Sequence, residues 1–125
     1  MYGLMVKTTE HSDELPKRGN LTDFVYGVDE NNSLQIEVAV KEDGRCAIFH
    51  NKPFRNDLSW LEFDLDTYNL DFVMDDGEIR NVGMPLTKDV SKNMQNSHQV
   101  LMVLMDDETG DAKEGYYVPL ILHKK

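Results

Sequence analysis

Eight carboxylates and no basic residue lie between Asn56 and Ile79: Asp57, Glu62, Asp64, Asp66, Asp71, Asp75, Asp76 and Glu78. They supply most of a formal net charge of −10. Acids in such numbers can bind a cation, hold a proton for acid–base chemistry, or present a charged surface to a basic partner. Their spacing favours the surface. Glu62, Asp64 and Asp66 alternate with Leu61, Phe63 and Leu65, and Asp71 and Asp75 keep the same period against Leu70, Phe72 and Met74. Residues two apart on a strand share a face at about 6.5–7 Å, so a simple hairpin gathers these acids on one side. Like charges opposed across a hairpin repel and cost stability. The plainest reading is a solvated outer face. The functional readings are docking of a basic protein, or mimicry of a nucleic-acid backbone.

Trp60, the only tryptophan, falls out of phase with Leu61, Phe63 and Leu65 and therefore joins the carboxylate face. An aromatic ring among acids suits Lys or Arg, which it meets through cation–π contact while the acids form ion pairs. The alternative is that another element covers this face and Trp60 packs beneath it. The expected partner-binding set is Trp60, Glu62, Asp64, Asp66, Asp71 and Asp75.

Other chemistry finds less support. Residues 64–71 offer oxygen ligands without the glycine or the helical flanks of an EF-hand, and residues 106–111 resemble the oxygen-rich turns common in acidic chains. His98 and His123 fall opposite or nearly so if residues 98–123 form a regular hairpin pairing Asp106 with Gly115 or Tyr116. Two imidazoles are still fewer than the three or four protein ligands of a zinc site. Cys46 and His50 share a strand face, but four residues span about 13 Å, too far for a thiol–imidazole pair. Cys46 reads as a small buried hydrophobe beside Ala47, Ile48 and Phe49. There is no G-x-S-x-G, phosphate loop, dinucleotide fingerprint or zinc-protease helix. No catalytic residue, metal or cofactor is expected.

The elements that position these residues read mostly as strands. Residues 2–7 and 24–28 are strand-like, and residues 8–20 form a polar loop or arm with Pro16 and Gly19. A turn cluster follows at 29–33. Leu34, Ile36, Val38 and Val40 alternate with polar or small residues, and Asp43-Gly44 predicts a type I′ turn into a partner strand at 46–50. Asp76-Gly77 predicts a second hairpin. A helix is expected over 87–96, capped by Thr87, favoured by Asp89 in its first turn, and carrying Leu86, Val90 and Met94 as a narrow buried stripe. Residues 100–105 are apolar throughout, which places that strand at the centre of a sheet covered on both faces. Pro119 makes the last strand, near 116–122, an edge or a bulged strand. Met74, Met94, Met102 and Met105 read as core.

The expectation is one α+β domain over residues 1–125, mainly antiparallel, curled or two-layered, with about eight or nine strands and one helix. The acidic balance disfavours direct nucleic-acid and anionic-membrane binding, since phosphate contacts need clustered Lys and Arg. The longest apolar run is far short of the ~18–20 residues that span a bilayer. Residues 1–7 lack a basic leader, and one cysteine excludes an intramolecular disulfide. Together these predict a soluble cytoplasmic protein. The function expected is a non-enzymatic interaction module, such as an inhibitor, immunity or accessory factor, whose anionic hairpin meets a basic partner. Alternatives are a small-ligand binder or weakly marked enzyme with an apolar pocket in the curled sheet. A homo-oligomer pairing through the last strand is a further reading.

Overall fold

The computed structural model describes residues 10–12, 15–16, 20–28, 34–52, 57–81, 87–95, 97, 99–106, 108–109 and 111–124. Nine strands and one helix follow in chain order: β1 (Glu10–Ser12), β2 (Thr22–Val28), β3 (Gln35–Val40), β4 (Cys46–His50), β5 (Leu58–Asp64), β6 (Leu70–Met74), β7 (Ile79–Asn81), α1 (Lys88–Met94), β8 (Gln99–Met105) and β9 (Ala112–His123). Their order in the sheet is β2-β3-β4-β8-β9-β5-β6-β7, with β1 beside β9. The described residues are therefore mostly sheet with one helix, as the periodicities predict. Most pairings are antiparallel, as expected, but the sheet is mixed rather than purely antiparallel: β4 pairs with β8, and β5 with β9, in parallel. Three residues of the stretch read as a polar loop form β1. The expected strand at 2–7, the turn cluster at 29–33, Leu86 and His98 lie outside the described residues.

Both Asp-Gly pairs turn the chain as expected, each by a three-residue loop, which at Asp43-Gly44 replaces the expected type I′ turn. At the first, Lys41 N–H donates to the Arg45 carbonyl at 2.7 Å and Gly44 N–H to the Lys41 carbonyl at 2.9 Å. The second repeats this plan, with Met74 N–H on the Glu78 carbonyl at 2.8 Å and Gly77 N–H on the Met74 carbonyl at 3.0 Å. In each, the aspartate before the glycine accepts from the N–H after it: Asp43 from Arg45 and Asp76 from Glu78. The left-handed residue is the glycine alone, with φ of 83° at Gly44 and 88° at Gly77, as in the three-residue hairpin loop with a G1 bulge. A methyl at Gly77 would meet nothing within 4 Å, so only backbone strain opposes it. Gly77→Ala is expected to cost about 1–2 kcal/mol in urea unfolding. An unchanged midpoint would show that the left-handed conformation is not required.

The sheet curls. Ile36, Val38 and Val40 of β3 and Leu70, Phe72 and Met74 of β6, distant in strand order, belong to one core cluster. Val90 and Met94 of α1 close it beside β3, with Thr87 Oγ accepting from Val90 N–H at 3.2 Å as the cap. The fully apolar strand sits where its composition places it. Between β4 and β9, β8 sends Val100 and Met102 into this inner core, while Leu101 and Val103 enter a second cluster on the opposite face with Ala39, Ala47 and Phe49. Cys46, 1% exposed, packs in the inner core as a small hydrophobe.

The last strand is internal, which corrects the expectation of an edge. β8 flanks one side of β9, while β1 and then β5 flank the other. The pairing with β1 covers Gly115–Tyr117, and that with β5 begins at Leu120. The carbonyl of His123 accepts from Leu65 N–H on the β5 side at 2.8 Å. Alternation turns the backbone groups of Ile121 and Pro119 to that same side. The missing donor of Pro119 thus falls in the gap between β1 and β5, where no ladder bond is lost. A symmetric dimer through the edge of β9 has no edge to use. Among the described residues, no helix is long and apolar enough to cross a membrane.

Candidate functional site

The β5–β6–β7 unit carries the acids, and its register defines two rows on the face turned away from the core. Leu61, Phe63, Leu70 and Phe72 point into the core at 0% exposure. On the opposite face, Glu62 stands directly across from Asp71, with Asn81 beyond Asp71 on β7 and Ile121 beyond Glu62 on β9. One step along, Trp60 faces Val73, and Val73 faces Ile79. The spacing of acids in the sequence therefore located the face and its central pair. A register shift between Leu58 and Trp60 puts an extra residue, Ser59, into β5, so that Leu58 turns into the core although it stands two residues before the outward Trp60.

Each side chain has a local anchor. Trp60 Nε1 donates to Glu62 Oε1 at 3.0 Å, and the other oxygen of Glu62 lies 3.1 Å from His123 Nε2. Asp71 accepts from Asn81 Nδ2 at 2.6 Å. Asp64 bends back onto its own turn and accepts from the N–H groups of Asp66 and Thr67 at 2.8 and 3.1 Å. Asp75 accepts from Ser59 Oγ.

Two members of the expected set depart from it. The strand ends at Asp64, so Asp66 lies in the following turn, exposed, and does not extend the row. Asp75 lies beyond the end of β6, in the Gly77 loop, where it helps to line a cleft of about 240 Å³ with Asp57, Met74, Asp76, Glu78 and Arg80. Arg80 Nε is 3.4 Å from Glu78. The two oxygen-rich segments use their leading aspartates alike. Asp106 accepts from the N–H groups of Glu108 and Thr109 and pairs with Lys113 at 3.2 Å, and these contacts hold its carboxyl below the usual range. Among the described residues, no three or more His, Cys, Asp or Glu side chains are grouped to hold a metal ion.

Sequence reasoning missed His123, Asn81 and Ile79. His123 arrives through the parallel pairing of β5 with β9, where it faces Asp64. The expected apposition of His98 and His123 falls outside the described residues, but the β8–β9 hairpin is tighter than assumed: Asp106 N–H bonds to the Asp111 carbonyl, and Gln99 already pairs with Pro119. His123 therefore extends past β8. No described signal in the spacing marks Asn81, but Ile79 follows the second Asp-Gly pair and so belongs to the returning strand.

Two further features lie off this face. A groove of about 450 Å³ beside the Gly44 loop is lined by Leu15, Pro16, Asn20, Leu21, Lys41, Glu42 and Asp43. Inside the core, His50 is 0% exposed, with its Nε2 2.9 Å from the Tyr116 hydroxyl and the rings edge to face at 5.7 Å. Burial pushes its pKa down to about 4, against an opposing pull from a hydrogen bond with the Lys52 backbone. The chain matches no protein-family model, no curated protein and no solved structure.

Proposed function

We propose that this chain is a non-enzymatic interaction module that presents the outer face of β5–β6–β7 to a basic protein. The observation that carries this reading is the register of Glu62 against Asp71. Direct opposition of like charges on neighbouring strands is destabilising, and a cation seated over the pair would relieve the repulsion. Trp60, bonded to Glu62, borders that position with an aromatic ring, and the acid-lined cleft at the Gly77 loop extends the negative field along the same unit. The interior of the curl, by contrast, is filled by Leu61, Phe63, Phe72, Met102 and Tyr116, each at most 1% exposed. A small-ligand reading would have to use the groove beside the Gly44 loop instead.

The test is an affinity capture from the native host, comparing the wild type with a Glu62→Gln, Asp71→Asn double variant. Asp64 is spared because it holds its own turn. A basic protein should be retained by the wild type at low salt, released as ionic strength rises, and held about tenfold more weakly by the variant. Equal recovery on both baits, insensitive to salt, would refute the anionic interface.

A further inference from the structure

The acids do not stand alone on this face. Ile79, at 58%, is the most exposed of the large hydrophobic residues described, and it lies in register with Val73 and Trp60. Neither core cluster includes these three residues, of which Ile79 is exposed, Trp60 half-buried and Val73, between them in register, buried at 6% exposure. They make an apolar row across β7, β6 and β5. The row of Asn81, Asp71 and Glu62 runs beside it, two residues further along β5.

We propose that this face docks an extended basic segment of another polypeptide, with an apolar side chain seated on Ile79, Val73 and Trp60 and a lysine or arginine two residues on over Asp71 and Glu62. The inference rests on the anionic-interface reading and adds an apolar anchor and a spacing to it. The two rows are about 6.5–7 Å apart, as are alternate side chains of an extended chain. A segment lying along β5 therefore delivers one side chain to each row without strain. The charge selects the partner: phosphate-rich surfaces are repelled, whereas a cation lessens the repulsion between two opposed carboxylates. Trp60 serves both rows. Its ring offers apolar area beside Val73 and a π face to a neighbouring cation, and its N–H is already committed to Glu62. A lysine or arginine can lay its aliphatic stem on the apolar row while its charged end reaches the acids.

Trp60, as the only tryptophan, reports binding directly by fluorescence. The probes are two nine-residue peptides of equal charge. One contains Ile-Ser-Lys-Ser-Lys at its centre, and the other contains Ser-Ser-Lys-Ser-Lys. At low salt the isoleucine peptide should bind the full chain about tenfold more tightly, the effect of burying one aliphatic side chain. Ile79→Ser, at an exposed position, should abolish that preference, bringing the two peptides to equal affinity. Equal affinities for the two peptides, or a preference that survives Ile79→Ser, overturns the apolar anchor. If both peptides still weaken with salt and with the Glu62→Gln, Asp71→Asn variant, the anionic interface stands without the anchor. If neither peptide responds to salt or to that variant, both readings fall together.

Discussion

Lowering the pH from 7 to 4 is expected to remove about 3 kcal/mol of stability through His50 alone. The imidazole is fully buried and its pKa falls from 6.5 to about 4. Between those values the unfolded chain binds a proton that the folded chain does not. Acid therefore favours unfolding as the pH drops below 6.5, and the loss is nearly complete once it reaches the folded pKa. Above 6.5 both states are neutral and the group has no effect. The neutral ring can accept the Tyr116 hydroxyl proton at Nε2, and that arrangement ends when the nitrogen is protonated. Carboxylates titrate over the same range, so the comparison needs a partner that lacks only this pair. His50→Leu with Tyr116→Phe removes both partners of this hydrogen bond together, so neither of the two is left buried without the other. The difference in unfolding free energy between wild type and double variant should shrink by about 3 kcal/mol from pH 7 to pH 4. Parallel pH profiles would refute the assignment.

Phe63→Ala should be more damaging still, at about 3–5 kcal/mol in urea unfolding. Phe63 is 0% exposed and lies in register with Leu70 on β6 and Leu122 on β9. Its removal opens a cavity beneath the strand that carries Trp60, Glu62 and Asp64 on the other face. The expected signature has two parts. The unfolding midpoint falls, and in conditions where the variant remains folded its binding to basic peptides is retained, because no side chain of the outer face has changed. A loss below 1 kcal/mol would mean that the surroundings collapse into the space. Loss of binding by the folded variant would mean that the inner face sets the geometry of the outer one.

The legible parts of this fold are those written in local pattern. Alternation in β5 and β6 gave the face of Trp60, Glu62 and Asp71, since a one-residue slip would have turned Phe63 and Phe72 to solvent. The unbroken apolar character of β8 marked the centre of the sheet because both its faces are buried. The parallel contacts were not legible. Nothing local in Ala47 or Leu101 announces that they pair, nor in Glu62 and Ile121. Such partners are set by the crossovers between them. The same limit hid the place of His123 and made Pro119 read as the mark of an edge. The proline was instead absorbed at a changeover of neighbours within an internal strand. The hairpin loops show a finer limit: Asp-Gly signals a turn, yet the extra residue at each loop depends on how the flanking strands twist.

The position of β9 has a consequence for synthesis. It leaves the ribosome after every other described strand, yet among the described residues it alone joins the two halves of the sheet, pairing with β8, with β5, and with β1 at Glu10 opposite Tyr117. Until it emerges, the β5–β6–β7 unit has no described neighbour to hold it against β2–β4, and its apolar inner face must wait uncovered. Contacts between residues so far apart in sequence form slowly, since a long loop must close before they contribute. A nascent chain stalled before residue 112 would therefore be the species most in need of a chaperone.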